Sequence, residues 1–199
     1  TCLKINTGKF NFVGKTTIEN ITIDTTAYSN SVEMLANGNE VTFGSGIVVN
    51  SQAQKYPIIY GGSENEDIIQ ETINLTVLSG KYNMIFGGGK NGNVKANINL
   101  TIGEQTTDSL DLRGYEYDDD YYTGVFGAGQ YGNVVGNINL NVNGGNFNRV
   151  YGAGLEGTLT GDVKINLRGG QTNRVYGGGQ RGAVDGNVIL SRAHALMKL

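Results

Sequence analysis

Tryptophan is absent from this 199-residue chain, and proline, cysteine and histidine occur once each. A single cysteine, Cys2, makes no internal disulfide, and a single histidine, His194, leaves no material for a zinc cage. One proline against 32 glycines excludes collagen, which needs abundant proline and glycine at every third position. No run of about 18 apolar residues occurs, so no membrane span is expected in this chain. Fifteen basic and 18 acidic side chains give a net charge of -3, which excludes a nucleic-acid partner held by a broad basic surface. Nor is there an amphipathic stretch of helical period. What remains is a chain with 38% hydrophobic residues, regularly spaced Val, Ile and Leu, and an excess of glycine. That composition argues against disorder and for one domain with a core of its own.

An internal repeat organises it. An apolar pair followed by small residues recurs at Ile59-Tyr60-Gly61-Gly62, Ile85-Phe86-Gly87-Gly88, Val125-Phe126-Gly127-Ala128, Val150-Tyr151-Gly152-Ala153 and Val175-Tyr176-Gly177-Gly178. Met34-Leu35-Ala36 fits the same slot, and a weaker unit lies around Phe10 to Gly14. The period is 25 or 26 residues, with one step of 40 between Phe86 and Phe126. About 12 residues after each pair comes a strict apolar–polar alternation, as in Ile73-Asn74-Leu75, Ile98-Asn99-Leu100, Ile138-Asn139-Leu140 and Val163-Lys164-Ile165. Alternation of period two marks half-buried strands.

Units of this length with two or three short strands and no helix are too short for propeller blades and lack leucine-rich spacing. A parallel solenoid is the remaining packing. The fold class expected is all-β: a right-handed parallel β-helix of about seven coils, about 25 residues per coil, with one loop insertion. At about 4.8 Å per coil it is a rod of roughly 30–35 Å. Residues 1–56 read as leading coils, 57–190 as regular coils interrupted by an insertion at 104–122, and 191–199 as a tail or cap. Expected core columns are Ile47, Ile73, Ile98, Ile138, Val163, Val188 and Val49, Leu75, Leu100, Leu140, Ile165, Leu190. Gly92, Gly132, Gly157 and Gly182 stack where backbones approach closely.

The pattern from Val175 to Leu190, Val-Tyr-Gly-Gly-Gly-x-x-Gly-x-Val-x-Gly-Asn-Val-x-Leu, resembles repeats in large surface proteins of gut anaerobic bacteria. The segments Gly14 to Ile23 and Leu35 to Gly44 resemble their leading coils. Such proteins are described as adhesin-like right-handed β-helices of the bacterial cell surface. The resemblance covers roughly residues 10–190. It implies an extracellular location, a host protein or glycan as partner, and a chain that is a fragment of a larger surface protein. It carries over no catalytic motif and no cofactor.

Three features are candidates for function. The insertion 104–122 holds seven of the 18 acids and four tyrosines, including Tyr115, Tyr117, Asp118, Asp119, Asp120, Tyr121 and Tyr122. It reads as a solvated acidic excursion, as a contact for a partner or glycan, or as a calcium loop. Three consecutive aspartates lack the alternate spacing that aims ligands at one ion, so no metal site is assigned. Arg149 and Arg174 share one column, where like charges one strand apart need an anion or acid nearby. The aromatic column Tyr60, Phe86, Phe126, Tyr151, Tyr176 alternates with Ile59, Ile85, Val125, Val150 and Val175, so one of the two columns is expected to face out. Glu156 and Arg181 are placed to pair across coils. Only Thr76 and Thr101 stack, which is too little for an ice-binding array. Outside the insertion the acids are scattered, and no nucleophile–base set is possible away from His194. The reading is therefore a non-catalytic adhesin-like or stalk module. Its alternative is a carbohydrate-active β-helix, either a glycan-binding module or a polysaccharide lyase-like enzyme.

Overall fold

The computed structural model describes residues 1–105, 109–113 and 123–193. Its described residues form twenty-two short strands and one 3-10 turn, Gln52–Gln54, with no α-helix. None of its helical segments is long and apolar enough to cross a membrane. The strands fall into three sheets of three, nine and ten strands, and every pairing among them is parallel.

Successive segments visit the sheets in rotation. Lys9–Asn11 joins the nine-stranded sheet, Thr16–Ile18 the ten-stranded sheet and Thr22–Asp24 the three-stranded sheet, and Glu33–Leu35, Val41–Phe43 and Val48–Asn50 then repeat the order. Parallel neighbours need long connections, and here each connection is itself built from strands of the other sheets. Equivalent residues pair across units in register: Ile98 lies beside Ile73 and Ile138, Ile138 beside Val163, and Val163 beside Val188. The step of 40 is absorbed in place, because Phe86 still pairs with Phe126.

The leading units differ from the sequence expectation. Ile47 and Val49 do not stand under Ile73 and Leu75. Val48–Asn50 pairs with Thr22–Asp24 in the three-stranded sheet, while Val41 pairs with Leu75 and Phe43 with Val77. Val41 and Phe43, like Ile47 and Val49, are apolar residues two apart, so only the pairing decides which pair continues the column. The threonine column is also longer than expected: Thr17, Thr42, Thr76 and Thr101 lie side by side, and Asn141 follows. Part of the stretch read as an insertion belongs to the scaffold. Leu110–Leu112 is a strand between Gly80–Lys81 and Asn146–Phe147, with Leu110 and Leu112 fully buried.

The main core is mostly aliphatic and runs through all three sheets, including Ile73, Leu75, Ile98, Leu100, Ile138, Leu140 and Ile165, with Phe12, Phe43, Tyr82 and Phe147 among them. On the outer side of the ten-stranded sheet, polar side chains link units. Asn99 donates to Asn74 at 3.0 Å, and Asn166 to Asn141 at 2.9 Å. Asn93, Asn133 and Thr158 each give a backbone N–H to the side-chain oxygen one unit back, at 2.9–3.0 Å.

Candidate functional site

Both columns of the aromatic strand are buried as far as Val150 and Tyr151, which corrects the expectation that one faces out; at the end of the stack Val175 is half-buried and Tyr176 exposed. Ile59, Ile85, Val125 and Val150 point into the aliphatic core. Tyr60, Phe86, Phe126 and Tyr151 point the other way and form a second, separate core with Leu35 and Leu155. In-register parallel pairing places each ring directly over the last. Ring centroids are 5.1, 4.7, 4.7 and 4.7 Å apart from Tyr60 to Tyr176, with planes within 16° of parallel. The strand spacing of about 4.8 Å sets that distance, which lies within the range in which stacked rings attract.

The second core exists because the glycine-rich loops fold back over the rings. A Cβ on Gly127 would lie 2.2 Å from the Gly152 carbonyl oxygen, and one on Gly132 would lie 2.1 Å from that of Gly92. Backbone packs on backbone there, with no room for a side chain. Three of these loops also reach the unit two before. Glu64 meets Lys9 at 2.6 Å, Lys90 meets Glu33 at 2.6 Å, and Gln130 Oε1 accepts from the Tyr60 hydroxyl at 2.5 Å. The hydrogen bond from Lys9 holds the Glu64 carboxyl below the usual range and raises the Lys9 ammonium in return. Burial pushes the Tyr60 phenol far up, and the Glu33 charge adds to it. Sequence reading missed this cluster. Its signal was present in complementary residues separated by about two periods, Lys9 and Glu64 or Glu33 and Lys90.

Arg149 and Arg174 are neighbours in register, as the repeat implied. They lie beside Tyr151 and Tyr176, two residues on. Burial raises the Tyr151 phenol, while the Arg149 charge and its hydrogen bond pull the other way. Arg149 is half-buried and Arg174 exposed. Glu156 and Arg181 pair across adjacent units at 2.9 Å. Tyr115, Tyr117, Asp118, Asp119, Asp120, Tyr121 and Tyr122 lie outside the described residues. The residues that flank them do come together, since Thr123 Oγ1 donates to the Arg113 carbonyl at 3.4 Å.

Next to that junction is a surface cleft of about 260 Å³, lined by Gln54, Tyr56, Lys81, Tyr82, Asp111 and Arg113. Lys81 and Asp111 are register partners on adjacent strands. Arg113 grips Asp111 with both ends of its guanidinium, at 2.9 and 2.8 Å. Those bonds, and more weakly the Lys81 charge, hold the Asp111 carboxyl below its ordinary range. The Lys81 ammonium stands 5.9 Å above the centre of the Tyr56 ring. Ala53 and Gln54 have φ of 43° and 61°, left-handed values that cost a non-glycine residue about 1–2 kcal/mol. Tyr82 forms the floor from the core side. Among the described residues, no three His, Cys, Asp or Glu side chains converge to hold a metal ion. No known protein family, curated protein or solved structure matches the chain.

Proposed function

We infer that this chain is a right-handed parallel β-helix of about seven coils, and that it serves as a non-catalytic, adhesin-like binding or display segment of a bacterial surface protein outside the cell. The rotation of parallel strands at a 25-residue offset supports the architecture. One observation carries the function. The scaffold seals its own aromatic column with its own loops, yet at one place it interrupts the period to hold an acid- and tyrosine-rich stretch between two touching residues, Arg113 and Thr123. Departures from a regular repeat are where binding residues are often placed. Arg149 and Arg174 add a cationic row on the same protein, suited to a carboxylate of a host protein or glycan.

The test is a glycan and protein array probed with three proteins. These are the intact chain, a chain with residues 114–122 replaced by a short Gly-Ser turn, and Arg149→Ala/Arg174→Ala. The replacement spares Leu110–Leu112, which the core requires. Loss of binding in either variant supports the reading, and equal binding by all three removes both features from it. The cleft at Tyr56 and Asp111 favours a second reading, a glycan-binding module of the carbohydrate-active class.

A further inference from the structure

We propose that the strand edge at residues 68–71 receives an extended, basic segment of a partner protein as an added strand. The site is separate from residues 114–122 and from the Arg149–Arg174 row, and it depends on the reading of neither. It arises from a change in the size of the units. The first two units turn from the nine-stranded to the ten-stranded sheet in a few residues, at 12–15 and 36–40. The third unit makes a longer excursion and starts its strand early, at Ile68. On one side Ile68–Val77 pairs with Val94–Ile102 from Ile68 to Val77. On the other side Val41–Phe43 covers only Leu75 to Val77. Among the described residues no strand pairs with 68–71 on that side.

Ile68 gives its N–H to the Asn93 carbonyl of the next unit at 2.9 Å. Backbone groups alternate in direction along a strand, so the N–H and C=O of Ile69 point back toward the short turns. A side chain stands where a neighbouring strand would be: Gln70 Nε2 donates to the carbonyls of Gly38 and Thr72, at 2.8 and 2.7 Å. The short turns stack on each other, with Asn39 Nδ2 donating to the Phe12 carbonyl at 3.0 Å. They leave a step two strand spacings deep, about 10 Å. Val13 on the first turn and Ile69 on the edge are the most exposed large apolar side chains among the described residues, at 96% and 76%. Unpaired backbone groups beside exposed apolar surface are what a peptide uses when it adds to a sheet edge. Charge selects the partner. Glu66, Asp67 and Glu71 are exposed, and none of the three is in an ion pair with a described residue. Lys95 is the one cation on the neighbouring strand, and Lys15 is already paired with Glu40 at 2.9 Å. A segment alternating apolar residues with Lys or Arg fits. Its apolar side chains face the Gly38 turn, and the aliphatic stems on its other face lie over Ile69 with their charges toward the acids. A bulge between Ile69 and Thr72 ends the regular edge, so the contact is short, about four residues.

The experiment follows the fluorescence anisotropy of a short labelled peptide of alternating lysine and valine titrated with the intact chain. Two further peptides are compared: the glutamate–valine counterpart, and the lysine–valine peptide with every backbone nitrogen methylated, which keeps the charge but cannot pair as a strand. The titration is repeated with Ile69→Pro, which removes an outward N–H that the internal ladder does not use, and with Glu66→Gln/Glu71→Gln. Thermal melts check the fold of both variants, and amide shifts of the unmodified chain locate the peptide. The expected result is binding of the lysine–valine peptide with shifts at 68–71. The glutamate–valine peptide, the methylated peptide and both variants should each bind at least tenfold more weakly. Equal binding of the methylated peptide identifies a plain acidic patch and overturns the added strand, and that comparison requires no variant to fold. Equal binding of the glutamate–valine peptide overturns the basic partner. Equal binding by a folded Ile69→Pro chain, shifts confined to other residues, or no binding of the lysine–valine peptide overturns the site. None of these outcomes bears on the glycan and protein array, which tests the other two features.

Discussion

A close backbone contact between stacked units makes the sharpest prediction. Gly132 is to be replaced by alanine, with Gly14→Ala as its matched control. An alanine Cβ at 132 would sit 2.1 Å from the Gly92 oxygen and 2.9 Å from the Asn91 oxygen, against about 3.4 Å for ordinary contact. Relief requires the two units to part by more than 1 Å locally, over a fifth of the spacing of about 4.8 Å. Hydrogen bonds at this level stand at 2.7 Å (Tyr131 to Lys90), 3.1 Å (Gly132 to Lys90) and 2.8 Å (Val94 to Asn133). Stretching them by that amount takes two or more out of range, at about 1 kcal/mol each. Overpacking adds about 1–3 kcal/mol. The expected loss is about 3–5 kcal/mol, a large share of a typical domain's stability. At Gly14 an added Cβ meets nothing within 4 Å, so alanine there should be neutral or gain up to about 1 kcal/mol through the unfolded state. Urea unfolding followed by circular dichroism gives both midpoints. If Gly132→Ala shifts the midpoint no more than Gly14→Ala does, the close stacking of backbones is wrong.

Phe126→Ala should cost about 3–5 kcal/mol, because its ring is fully buried between Phe86 and Tyr151; a midpoint unchanged in urea would mean the ring lies in solvent. Tyr82→Phe should be neutral or stabilising by up to about 2 kcal/mol, since its hydroxyl is buried without a hydrogen-bond partner; a clear loss in calorimetry would show that the hydroxyl has one. For Asp111, the folded pKa is depressed by Arg113, so its stabilising effect is present above the unfolded value of about 3.9 and fades as pH falls through the folded one. Urea midpoints measured from pH 5 down to pH 2 should therefore fall less steeply in Asp111→Asn than in the parent, and parallel curves would refute the ion pair's role.

The sequence alone was enough for the period, the parallel core columns from Ile73 and Leu75 to Val163 and Ile165, and the pairing of Arg149 with Arg174 and Glu156 with Arg181; Val188 and Leu190, expected in the same columns, stay in register but are exposed. These follow because in-register stacking puts residues one period apart side by side, so a column in the alignment of units is a column in space. Three matters were decided only by the tertiary structure. Val41 with Phe43 and Ile47 with Val49 have interchangeable spacing, and pairing with Ile68–Val77 selected the first. Leu110–Leu112 is hidden in an acidic stretch, and its place in a sheet depends on partners 30 and 35 residues away. The burial of the aromatic column, with its ties from Glu64 to Lys9 and from Gln130 to Tyr60, depends on loops leaning two units back. Alternation along a strand tells which side chains share a face, but not what the rest of the chain lays over that face.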